Sequence, residues 1–162
     1  MRIKISGLLL ICLLSVSVPA AEQNSAIVAR IEIAERLAEY AYRWDSKNAD
    51  EFIALFSEGA VFNWVIGGTP ESRTLEGRTQ IKAYAEQAFA ERIGEKQSRH
   101  HFSNLTFKAL ESHRAVTENL VLVTHQHSGQ PPANVASGYY RIIWIKRDDQ
   151  WLIAERTLHV DR

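Results

Sequence analysis

Between residues 25 and 44, Ile27, Ile31, Ala34, Leu37, Ala38, Ala41 and Trp44 recur at three- and four-residue steps, with charged side chains between them. That spacing predicts an amphipathic helix. Asp45 stands four residues beyond Ala41, and Tyr42 three before it on nearly the same face, so a carboxylate closes an apolar stripe. Asn48, with Glu51 in capping-box spacing, opens a short second helix whose buried side is Phe52, Ile53, Leu55 and Phe56, and Gly59 stops it. Residues 60–66 read as a strand that ends in the loop Gly67-Gly68-Thr69-Pro70. Gly77 introduces a third helix over about 78–92, striped by Ile81, Tyr84, Ala85, Ala88 and Phe89.

From Arg99 onward the period shortens to two, predicting strands at 99–109, 114–127, 136–147 and 150–160, with Asp148-Asp149 as a tight hairpin between the last two. The resulting order predicts an α+β fold: about three helices packed on one face of a curved, cone-like, mixed or antiparallel sheet that encloses a pocket. In 136–147 both faces are apolar, with Tyr140, Ile142 and Trp144 opposite Tyr139, Ile143 and Ile145. A sheet covered on two sides is expected, so a homodimer or homotrimer through the sheet is predicted.

Composition changes this picture at the N-terminus. Arg2 and Lys4 precede an apolar run from Leu8 to Leu14, followed by Val18-Pro19-Ala20. Residues 1–20 therefore read as a signal peptide and 21–162 as one mature domain, periplasmic or secreted, with no membrane association after cleavage. The sole cysteine, Cys12, lies inside that run, so the mature domain has neither disulfides nor thiol chemistry and relies on its core. Losing Arg2 and Lys4 lowers the formal net charge from 0 by two, to −2, and no basic excess points to nucleic acid.

Regular alternation places His101 with Leu105 and Phe107, and His125 with Val121 and Val123, each imidazole on an apolar face. His100 falls on the opposite face from His101 and reads as surface or interface. A histidine among apolar neighbours is equally compatible with a hydrogen-bonded core residue. His125 and His127, two apart on a strand, would offer two metal ligands, but a third has to come from His101 or Asp45 and no tight ligand cluster is written in the sequence. No metal is expected.

Several segments carry a family likeness: Tyr40-Ala41-Tyr42-Arg43-Trp44-Asp45-Ser46-Lys47-Asn48-Ala49-Asp50 with Phe56, Leu75-Glu76-Gly77-Arg78, Arg99-His100-His101-Phe102-Ser103-Asn104, and Gly138-Tyr139-Tyr140-Arg141 with Trp151. Their order and spacing resemble the SnoaL-like domains of the nuclear transport factor 2-like superfamily, with its cystatin-like fold. Within it the nearest active-site pattern is similar to that of scytalone dehydratase, a hydro-lyase that works without cofactor. The resemblance implies a catalytic set of Asp45, His101 and His125. Two tyrosines of that enzyme fall on Trp44 and Trp64 here, and its substrate-contacting asparagine falls near Tyr140 or Arg141, which implies a different substrate.

The chemistry so implied is cofactor-free removal of a proton next to a carbonyl or phenol-conjugated carbon by His101 and His125, with Asp45 orienting the base, followed by loss of a hydroxyl. Tyr42, Trp44, Trp64, Tyr140 and Arg141 are the expected substrate contacts, and the expected ligand is a small hydrophobic or aromatic molecule. An isomerase or cyclase using the same abstraction, or a non-catalytic binding domain, remains the alternative.

Overall fold

The structure, a computed structural model, describes residues 20–67, 69 and 72–161. Nearly all of the expected signal peptide lies outside the described residues. Among those described, no helix is long and apolar enough to cross a membrane.

Helix α1 (Ala20–Asp45) is followed by α2 (Ala49–Ile53), β1 (Phe56–Ile66), β2 (Ser72–Glu76) and α3 (Gly77–Gln87), which continues as a π-helical turn over Ala88–Ile93. Four long strands complete the chain: β3 (Gln97–Leu110), β4 (Arg114–Gln126), β5 (Ala133–Arg147) and β6 (Gln150–Val160). They form one mixed sheet in the order β2-β1-β6-β5-β4-β3, in which only the β1–β6 pair is parallel. The predicted α+β architecture is the one observed. Strand β2 was not anticipated: Ser72, Arg73 and Thr74 give it no apolar alternation, and it exists as an exposed edge paired to β1.

The helices cover one face. Ile33, Leu37, Tyr40 and Trp44 form the buried stripe of α1, whereas Ile27, Val28 and Ile31 at its N-terminal end are exposed. The core face is thus rotated from the predicted one, which brings Tyr40 inward. Asn48 caps α2 as its spacing predicts, its side chain accepting the Glu51 N–H at 3.0 Å. At the β5–β6 turn, Asp148 and Asp149 take φ of 47° and 58°, as a two-residue hairpin loop requires.

Two bulges decide which side chains reach the concave face. In β3 the register steps between Ser103 and Thr106, with Asn104 at φ 54°. Ser98, His100 and Phe102 therefore face inward before the step, and Leu105 and Phe107 after it. In β6 the register steps opposite Ile143 and Trp144, so the inward series Trp151, Ile153 resumes at Arg156 and Leu158. An extra residue reverses the side-chain alternation, and in both strands the residue it re-aims is polar.

Candidate active site

The interior of the half-cone holds a cavity of about 410 Å³, within the usual range for a small-molecule site. Its walls are aromatic: Tyr40 and Trp44 from α1, Trp64 from β1, Tyr84 from α3 and Tyr140 from β5. The rings meet mostly edge to face, for example Trp64 with Tyr84 at 4.8 Å and Trp44 with Phe89 at 4.9 Å. His100, His125, Arg92, Lys96 and Arg156 supply the polar lining.

Asp45 closes α1, where a negative charge is opposed by the helix dipole. It is held there by β3. Its Oδ1 lies 2.8 Å from His100 Nδ1 and its Oδ2 accepts the His100 backbone N–H at 2.8 Å, while Gln97 Nε2 donates to its carbonyl at 3.2 Å. The two side chains are only 9% and 6% exposed. Burial pushes the Asp45 carboxyl up, but the His100 side chain, its charge, its backbone N–H and Ser98 outweigh that and leave it below the ordinary carboxylate value. In the neutral form of His100, an ionised Asp45 fixes the single ring proton on Nδ1, which leaves Nε2 with its lone pair. Among the described residues nothing hydrogen-bonds Nε2.

The expected partner, His101, is placed elsewhere. It is exposed on the outer face, its Nε2 3.2 Å from Thr124 Oγ1. The bulge at Asn104 is the reason: alternation counted back from Leu105 and Phe107 selects His101, whereas the extra residue hands the inward position to His100. His125 does line the cavity, diagonal to His100 across the β3–β4 ladder and on the order of 7 Å away in a regular sheet. Burial lowers its pKa, and the positive charges of Lys96 and Arg92 lower it further, so it is neutral at pH 7.

Of the expected substrate contacts, Trp44, Trp64 and Tyr140 line the cavity. Two do not. Tyr42 is 75% exposed on the solvent side of α1, and Arg141 lies on the outer sheet face, its Nη1 2.9 Å from Glu118 Oε1. His127 lies beyond the end of β4, and no group of three candidate metal ligands occurs among the described residues.

The cavity residues missed by the sequence reading include His100, Tyr40, Tyr84, Arg92, Lys96 and Arg156. Burial pushes the Tyr40 phenol up, opposed by the charge of Arg156 and by hydrogen bonding with Tyr140 and Arg156. Tyr140 is pushed well up, chiefly by burial and by Tyr40. Both phenols are therefore protonated donors at neutral pH.

The SnoaL-like domain model matches residues 25–157. The chain belongs to the SnoaL-like family. A Mycobacterium tuberculosis protein of unknown function shares 26% identity with this SnoaL-like chain over 89% of it and 76% of that protein, with a TM-score of 0.72. A Novosphingobium aromaticivorans protein provisionally assigned as a scytalone dehydratase shares 24% identity over 85% and 87%, with a TM-score of 0.70. A nuclear transport factor 2-like protein with a cystatin-like fold from the same organism shares 20% identity over 86% of each chain, with a TM-score of 0.72. No curated protein sequence matches.

Proposed function

We propose that this SnoaL-like protein is a cofactor-independent lyase of the dehydratase type, acting on a small aromatic or polycyclic hydroxy or keto compound. One observation carries the reading: the Asp45 carboxylate, 2.8 Å from His100 Nδ1, orients an imidazole that lines an aromatic cavity and whose other nitrogen has no hydrogen-bond partner among the described residues. That is the arrangement of a general base.

In the proposed reaction His100 Nε2 takes a proton from a carbon next to a carbonyl. The freed electron pair forms the new double bond, and the β-hydroxyl departs with a proton returned by the imidazolium, so that one water is lost overall. Tyr40 and Tyr140 are the donors placed to hold the developing oxyanion, and Trp44 and Trp64 flank the ring. His125, neutral and on the same wall, relays the proton or binds the departing hydroxyl. The dehydratase assignment of the Novosphingobium neighbour is of the same reaction class. Arg2, Lys4 and the apolar run after them support action outside the cytoplasm.

Mass-spectrometric screening of the purified protein against hydroxylated aromatic and keto compounds tests the proposal. Loss of water with the wild type and not with Asp45→Asn is expected. Conversion at equal rates by both would sink it.

A further inference from the structure

We infer that the cavity receives an anion: a planar ring compound bearing a carboxylate, drawn in by Arg92 and Lys96 at the rim and seated toward Arg156 on the floor. The inference rests on reading this cavity as the substrate site, but not on the proton chemistry at His100.

Among the described residues, the basic side chains of Arg92, Lys96 and Arg156 line the cavity and no Asp or Glu does. Arg156 is the decisive one. It is 2% exposed and cannot release its proton, yet among the described residues it pairs with no carboxylate, whereas Arg36, Arg43, Arg78 and Arg141 each do. Its Nη1 donates to the Asn63 carbonyl at 2.8 Å, and its Nε has no hydrogen-bond partner. The guanidinium carbon stands 3.3 Å from the Phe62 ring centroid and 4.8 Å from that of Tyr140. Ring faces soften the burial of a cation but carry no compensating charge.

Asp45 keeps its charge but is held by His100 outside the cavity lining, so one negative charge stands against the three positive ones of Arg92, Lys96 and Arg156. Arg92 stacks over Tyr84 at 5.4 Å, and neither it nor Lys96 forms an ion pair among the described residues. Low-dielectric aromatic walls concentrate such a field in the cavity. One buried guanidinium balances one negative charge, which suits a carboxylate better than a dianionic phosphate. The flat walls set by Trp44, Trp64 and Tyr84 select a ring to carry it.

Isothermal titration with 2-naphthoate and with its neutral isostere 2-naphthamide tests this directly. The wild type is expected to bind naphthoate at least about tenfold more tightly at low ionic strength, with the advantage shrinking as salt is added. Arg156→Met should abolish that preference while leaving naphthamide within about twofold, and Arg156→Lys should keep the order. Because Arg156 is buried, Arg92→Gln combined with Lys96→Gln provides a surface test: the preference and its salt dependence should both fall severalfold. Equal binding of the two probes by the wild type, no binding of naphthoate at millimolar concentration, or a preference undiminished in the rim variant would overturn the inference. His100→Ala separates the two readings, since the preference should survive in it even if no turnover is ever found.

Discussion

Replacing Asp45 by Asn keeps the side-chain volume and removes the charge. The carboxylate accepts two bonds from His100, one from Nδ1 and one from the backbone N–H, each at 2.8 Å. An amide in its place keeps one acceptor oxygen and turns a donor toward the other partner. A hydrogen bond to a charged group contributes about 1.5–3 kcal/mol, so Asp45→Asn should be less stable by about 2 kcal/mol at pH 7, a fall of roughly 4–8 °C in the unfolding midpoint. The loss depends on pH. The folded-state pKa of Asp45 is lowered from 3.8, so between the two values the unfolded chain binds more protons and stability falls as pH drops through 3.8 toward the folded pKa. Asn does not titrate. Urea denaturation of both proteins from about pH 7 to pH 3 should therefore show a gap that is full above about pH 5 and narrows below 3.8. A gap under about 0.5 kcal/mol at pH 7, or one that stays constant to pH 3, would refute the reasoning.

Other consequences are as direct. Against any substrate the screen finds, His100→Ala should lose at least about 10²-fold in rate, while His101→Ala, altered on the outer face, should stay within about twofold; the reverse order would restore the alternation-based assignment. Gly138 has no room for a side chain, because a Cβ there would lie 2.0 Å from the His159 carbonyl oxygen. Gly138→Ala should cost on the order of 2 kcal/mol or more by separating β5 from β6, and an unchanged melting temperature would contradict that. The outer sheet face exposes Leu120, Leu122 and Tyr139. We expect it to bury against a second copy, so sedimentation should show an oligomer that Leu122→Glu converts to monomer, and a wild-type monomer at micromolar concentration would remove the expectation.

Much of the fold could be read along the chain because its signals are periodic. The stripe of α3, the Asn48 cap and the four long strands each follow from local spacing, and the last hairpin from Asp148-Asp149. Asp45 was legible as an oddity, a carboxylate ending an apolar helix face. The identity of the imidazole beside it was not, because periodicity carries no memory across a bulge: one extra residue at Asn104 exchanges His100 for His101. Asn in mid-strand is itself the weak signal, since it tolerates positive φ better than most side chains. Arg156 was hidden in the same way by the bulge in β6, with charge adding to the disguise, since a lone arginine in a strand ordinarily faces water. Tyr42 was placed at the site by its helical spacing from Asp45 and Arg141 by resemblance, and α1's actual rotation and the outer-face pairing with Glu118 remove them.

The central claim is that Asp45 holds His100 with its proton on Nδ1 and a bare Nε2 toward the cavity. Nitrogen-15 spectra of the imidazole rings, followed with pH until His100 is in its neutral form, report that tautomer without any substrate. The structure predicts a protonated Nδ1 and unprotonated Nε2 for His100, with the pattern disturbed in Asp45→Asn. A proton on Nε2 in the wild type, or the same spectrum in both proteins, would contradict it.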